Sequence, residues 1–169
     1  MKFRFPTIKT ELAVAFAAIF VSTATLFVYV YQARIMQTQQ QVAVWPYVEW
    51  LPSWGDHGLY VEVSNKGIGP ALVKKVTLKL DGKEFNSLSE MFEVLTDSTF
   101  QNYGYSTIQG RVIAPGEHMR AFEIWDKATA DRIRAALTKR NFEYEICYCS
   151  VFNDCWLSNG TQITESNCD

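Results

Sequence analysis

The sequence predicts a transmembrane helix followed by a mainly β domain of antiparallel strands with two short helices inserted. Three observations carry this. A run of twenty residues, Leu12 to Tyr31, holds no charge, and much of the chain after it alternates apolar with polar side chains. The third is that all four cysteines lie late, at Cys147, Cys149, Cys155 and Cys168. With 169 residues, 48% of them hydrophobic and 20% charged, the chain has room for one ordinary domain. Its formal charge of -2 lacks the basic excess of a nucleic-acid binder, and its hydrophobic content is too high for a disordered chain.

Residues 12–31 read LAVAFAAIFVSTATLFVYVY, interrupted only by Ser22, Thr23 and Thr25. As a helix this run spans about 30 Å, the thickness of a bilayer core. Its hydroxyls can return their hydrogen bonds to the helix backbone, and Tyr29 and Tyr31 suit the headgroup region. Lys2, Arg4 and Lys9 precede the run with only Glu11 opposing them, whereas only Arg34 is charged between it and Glu49. The positive-inside rule therefore places residues 1–11 in the cytoplasm and everything after about residue 32 outside it. A cleavable signal peptide cut after Ala24 is the rival, but it would leave TLFVYVY on the mature surface. Ala13 with Ala17 and Ala18 with Ser22 form small-xxx-small pairs that would let a second helix pack closely. Residues 32–44 contain neither Gly nor Pro and form a stalk, helical or extended, that Pro46 ends. Its short heptad of Val28, Tyr31, Ile35, Thr38, Val42 and Trp45 is too brief for a coiled coil.

The outer domain, residues 45–158 with a tail at 159–169, is acidic. Setting aside Lys2, Arg4, Lys9, Arg34 and Glu11, it keeps 12 basic and 17 acidic side chains, a formal charge of -5. Leu59, Val61 and Val63 alternate with polar neighbours, as do Val76, Leu78 and Leu80, which makes both stretches half-buried strands. Between them NKGIGP lets the chain turn or cross over, and Asp81-Gly82 favours a tight hairpin into Lys83, Glu84 and Phe85. SLSEMFEVL opens on a capping box, Ser87 with Glu90, and lines Leu88, Met91, Phe92 and Leu95 along one helical face. In DKATADRIRAALTKR, Asp126 or Thr129 caps a second helix with Ile133, Ala136 and Leu137 as its apolar stripe. Strands resume near Gly110 to Ile113, turn at APGE and continue from His118 to Trp125. FEYEICYCSVF and CWLS form a last pair joined at Asn153 and Asp154.

Val61 to Lys83 and Val112 to Trp125 resemble the strand patterns of bacterial immunoglobulin-like sandwich modules of the CARDB kind. There, a strand ending in Asn-x-Gly precedes one ending near an Asp-Gly turn, and a Pro-Gly-Glu turn precedes a later strand. The resemblance covers about a third of the outer domain and departs from it in the two helices and the cysteine-rich end. It implies an immunoglobulin-like antiparallel β-sandwich and a module for adhesion or assembly. WPYVEW, NKGIGPA and CYCSVFNDCW also resemble uncharacterised membrane-anchored bacterial proteins. Together these imply a bacterial inner membrane with the C-terminal domain in the periplasm.

Four cysteines in an exported domain read first as two structural disulfides. Cys147 and Cys149 share a strand face, too far apart for an easy mutual bond. The preferred pairing is Cys149 with Cys155 across the hairpin and Cys147 with Cys168, holding the tail; the swapped pairing stays open. The alternative is a thiolate metal or redox site, but there is no CxxC, and His57 and His118 lie far apart in sequence. No cofactor is expected.

The sequence has no GxSxG, HExxH, phosphate-binding or dinucleotide motif. Glu143 and Glu145 read as the solvated face of an edge or outer strand, and Asp56-His57 between two glycines as a loop. Catalytic residues are therefore expected to be absent. Trp45, Tyr47, Trp50 and Trp54 form an aromatic cluster in which Val48 and Trp50 have the parity of core residues. Trp45, Tyr47 and Trp54 are the candidate contacts for a ligand or partner, and the NYGYSTIQG stretch with Tyr103 and Tyr105 is a second patch that extends them. The expected function is a non-enzymatic, membrane-anchored, extracytoplasmic interaction module, an accessory or assembly subunit of an envelope membrane complex. Its partner would be a membrane protein or a second copy of the chain. A receptor for a glycan or other ligand is the alternative, and a cysteine-based metal or redox protein the third reading.

Overall fold

The uncharged run folds within one uninterrupted helix, α1 (Thr10–Ala43), 34 residues long with none buried. At about 1.5 Å per residue it is some 50 Å long, so it is long and apolar enough to cross a membrane. Thr23 Oγ1 donates to the Ile19 carbonyl at 2.8 Å and Thr25 Oγ1 to that of Val21 at 2.8 Å. Each hydroxyl bonds one turn back, which makes it compatible with an apolar medium. The stalk residues are helical through Ala43, so Trp45 lies beyond the helix and the short heptad ends at Val42. This computed structural model describes residues 9–99 and 102–168. Lys2 and Arg4, on which the orientation argument leans, lie outside the described residues, as does Asp169.

The chain divides into two compact units, Met1–Val42 and Ala43–Asp169. The second begins its strands with β1 (Val48–Gly55) and β2 (Gly58–Asn65), an antiparallel hairpin in which Gly55 faces Gly58 and Asp56-His57 is the two-residue loop. NKGIGP then carries the chain from one sheet to the other, where β3 (Ala71–Leu80) turns into β4 (Lys83–Phe85). At that turn Asp81 and Gly82 have φ of 51° and 81°. Two positive φ values in succession match the right-handed twist of a hairpin, and Asp-Gly supplies them at low cost.

The helix α2 (Leu88–Thr96) starts where Ser87 accepts the Glu90 amide at 3.2 Å, and it buries Leu88, Met91, Phe92 and Leu95. Next come β5 (Tyr103–Tyr105), β6 (Val112–Ile113) and β7 (His118–Ile124). Asp126, rather than Thr129, caps α3 (Lys127–Leu137), accepting the Thr129 amide at 2.8 Å. β8 (Phe142–Cys149), β9 (Cys155–Ser158) and β10 (Ile163–Glu165) finish the chain.

Among the described residues every strand pairing is antiparallel. One sheet has the order β1-β2-β7-β5; the other runs β10-β9-β8-β3-β4, with β6 also on β3. A single buried cluster draws Val48, Val63 and Phe122 from the first sheet and Val73, Ile146 and Tyr148 from the second. The helices join it through Phe92, whose ring centre lies 5.2 Å from that of Phe122, and through the fully buried Ile133. Each such side chain contributes about 1.5–3 kcal/mol by leaving water.

Strand accounts for 35% of the described residues and helix for 34%, because α1 is so long. Strands predominate only in the second unit. Sequence pattern misses β5 and β10, each only three residues long, and overextends two others. The first stretch of β8 ends at Cys149, because Ser150 accepts the amides of Phe152 and Asp154 and closes a turn. The region near Gly110 is strand only at Val112 and Ile113. β8 also lies between β3 and β9, so Glu143 and Glu145 sit on an inner strand rather than an edge. Glu143 is accommodated there by facing Lys79 across the sheet.

Candidate functional site

Among the described residues β3 has no strand neighbour between its pairings with β6 and with β4, and a groove opens along that edge. Its volume is about 500 Å³, in the range of small-ligand sites. The apolar lining comes from both sheets: Val76 and Leu78 of β3, Tyr144 of β8, and Ala121 and Phe122 of β7. Tyr103 and Tyr105 of β5 add aromatic rings, with centres 6.2 Å apart. Tyr105 is 72% exposed, whereas Tyr103 packs its ring against Phe122 at 5.6 Å.

The rim is polar without being charged. Asn86, Ser87 and Ser89 come from the turn into α2, and Ser106, Thr107 and Gln109 from the loop after β5. Gln109 Oε1 accepts the Val76 amide at 3.2 Å, so a side chain takes the place of the missing strand. Ser87 and Ser89 hydroxyls lie 3.0 Å apart. The side chains of Asn86, Ser106 and Thr107 have no hydrogen-bond partner among the described residues, so their bonding capacity faces solvent or a ligand. Tyr144, only 3% exposed, has its phenol pushed well above the ordinary tyrosine range by burial and is a neutral hydroxyl at any physiological pH.

The predicted contact residues do not form one surface. Trp45 and Tyr47 meet edge to face at 5.6 Å at the start of the second unit. Trp54 lies on β1, half-buried against the core, and Tyr103 on β5, and these strands are opposite edges of the four-stranded sheet. Two strands separate them, which at about 4.8 Å per strand step keeps their backbones some 14 Å apart. Trp50 packs inward, 5.0 Å from Tyr144 and 6.1 Å from Phe142 between ring centres. The groove's partners for Tyr103 are instead Tyr105, Ser106, Thr107 and Gln109. One signal for them was in the sequence: NYGYSTIQG is nine residues without a charge.

A second organised region surrounds Asn65, which is fully buried. Its Oδ1 accepts the amides of Tyr47 at 3.1 Å and Gly67 at 3.0 Å, and its Nδ2 donates to the carbonyls of Gly69 at 2.8 Å and Ile113 at 3.0 Å. The backbone amides of Lys66, Ile68 and Gly69 bond to carbonyls of Tyr47 and Trp45, which straps residues 45–47 beside residues 65–69. A Cβ on Gly69 would sit 1.8 Å from the Val44 carbonyl oxygen, so no other residue fits that crossing.

The cysteines pair as Cys149–Cys155 and Cys147–Cys168. The first spans directly opposed positions of β8 and β9, and the second pins the chain after β10. Cys149, Cys155 and Cys168 bring their sulfurs within 4.8 Å of one another, but each belongs to a disulfide and offers a metal no thiolate until reduced. Ala13, Ala17, Ala18 and Ser22 all lie exposed on α1. Asp56 in the β1–β2 loop pairs with Lys127 of α3 at 3.6 Å, and Glu143 accepts the Asn141 side-chain amide at 3.0 Å.

No curated protein and no solved structure matches the chain. A family model described as a domain of unknown function matches residues 8–167, so it takes in α1 from its first turn, both sheets and the Cys149–Cys155 disulfide, and ends one residue before Cys168. By that match, which covers nearly its whole length, the chain belongs to the DUF8453 family.

Proposed function

We propose that this protein is a non-enzymatic interaction module on a single-pass anchor, with its N-terminus in the cytoplasm and its disulfide-bonded domain in the periplasm of a bacterial inner membrane. Its role is that of an accessory or assembly subunit of an envelope membrane complex. The observation that carries this is α1, a helix of 34 residues, long and apolar enough to span a bilayer and with no residue buried, joined directly to a domain that holds two disulfides. Disulfides persist in oxidising compartments, which supports placing that domain outside the cytoplasm. Two antiparallel sheets around one buried cluster support the immunoglobulin-like sandwich reading.

Two measurements on the full-length protein in its own membrane test this. Added protease should remove the C-terminal domain in spheroplasts and spare it in inverted vesicles. Native mass spectrometry of a mild-detergent extract, without reductant, should find the chain in a reproducible larger complex. Protection in spheroplasts would overturn the orientation, and a bare monomer would overturn the assembly role. A second reading, a ligand receptor, is favoured by the uncharged groove.

A further inference from the structure

We infer that the groove beside β3 binds a neutral saccharide, with Tyr105 stacking on a sugar ring and Asn86, Ser106, Thr107 and Gln109 bonding its hydroxyls. The inference rests on the reading of the second unit as an extracytoplasmic binding domain and names the ligand class for it.

Charge is the first argument. In a chain that is 20% charged, and whose outer domain is acidic, no described residue lining the groove carries a charge. An ionic ligand would find nothing there to neutralise it, and desolvating it would go uncompensated. The second argument is hydrogen bonding. Asn86, Ser106 and Thr107 present side chains without partners among the described residues, and Gln109 keeps its amide group while its carbonyl holds Val76. Such groups both donate and accept, as the hydroxyls of a sugar do, so either polarity at a given ligand atom can be matched. Aromatic surface is the third. The Tyr105 ring is 72% exposed beside a floor of Val76, Leu78 and Phe122, and it suits the C–H face that a pyranose offers alongside its polar edge. A peptide adding as a strand to β3 is disfavoured, because the Val76 amide it would need is already bonded to Gln109.

The test uses the full chain in phospholipid nanodiscs, free of any sugar-headed detergent. Isothermal titration calorimetry is run against linear uncharged oligosaccharides of glucose, N-acetylglucosamine, mannose and galactose. Hydrogen exchange on the same samples locates the contact. At least one oligosaccharide should bind and protect residues 86–89 and 102–110. Tyr105→Ala should weaken that binding about tenfold or more, while Tyr105→Phe keeps the ring and most of the affinity. Because Tyr105 is exposed, both variants should melt as the parent does. No binding by any member of the panel would overturn the inference, and so would affinity unchanged in Tyr105→Ala. Protease accessibility and complex mass do not depend on sugar, so this inference and the reading beneath it fail separately.

Discussion

Asn65 uses two acceptor and two donor bonds of its side chain inside the protein, so removing it strands several backbone groups at once. An unsatisfied buried amide or carbonyl costs about 1–3 kcal/mol. We therefore expect Asn65→Ala to lower the unfolding free energy by more than about 3 kcal/mol in urea titrations. Asn65→Asp should also be costly, because a carboxylate keeps the two acceptors but faces the Gly69 and Ile113 carbonyls. Asp81 makes a different residue-level prediction. The Asn141 backbone amide, at 2.8 Å, and then the Arg140 side chain hold its carboxyl below the ordinary value of 3.8. A depressed carboxylate pKa contributes stability above the ordinary value, and that contribution is lost as pH falls through the folded-state pKa. Asp81→Asn, which tolerates the positive φ, should thus be less stable than the parent at neutral pH and converge with it in acid. Paired urea midpoints from pH 7 down to pH 2 check this.

At the scale of elements, the two disulfides act on one corner of the fold. Cys149–Cys155 closes the β8–β9 hairpin and Cys147–Cys168 fastens the chain beyond β10, each adding about 2–4 kcal/mol by restricting the unfolded chain. Under reducing conditions, hydrogen exchange should rise first in residues 155–168, while β2, β3 and β7 stay protected. Uniform loosening would show that the bonds support the whole core instead. This corner also shows what a sequence can reveal. Of two cysteine pairings the sequence leaves open, hairpin geometry favours Cys149–Cys155, six residues apart, and nothing local sets Cys147–Cys168; the Ser87–Glu90 cap and the Asp81-Gly82 turn were readable outright. β5 and β10 were not, because Tyr103–Tyr105 and Ile163–Glu165 are strands only by virtue of β7 and β9 beside them. The groove was half legible: NYGYSTIQG stood out as uncharged, but Asn86, Ser87 and Ser89 reach it only because the chain from β4 into α2 packs beside β3. The aromatic cluster showed the opposite weakness. Tyr103 joined Trp54 by composition, and the strand order put them on opposite edges.

For the whole molecule, the division at residue 43 makes the second unit a candidate for independent folding. A chain of residues 43–169 exported to an oxidising compartment should unfold cooperatively and carry both disulfides, as mass and thermal melting would show. One beginning at Val48 should be markedly less stable, because it lacks the Tyr47 amide and the Trp45 and Tyr47 carbonyls that bond to residues 65–69. The spacing of the cysteines also orders events during synthesis. Partners six residues apart can join as soon as Cys155 has emerged, whereas those 21 apart wait for Cys168. Through that interval Cys147 carries a lone thiol next to a finished bond. In an oxidising compartment, a chain held between those two points should react with one equivalent of a thiol probe, and a chain carrying both bonds with none.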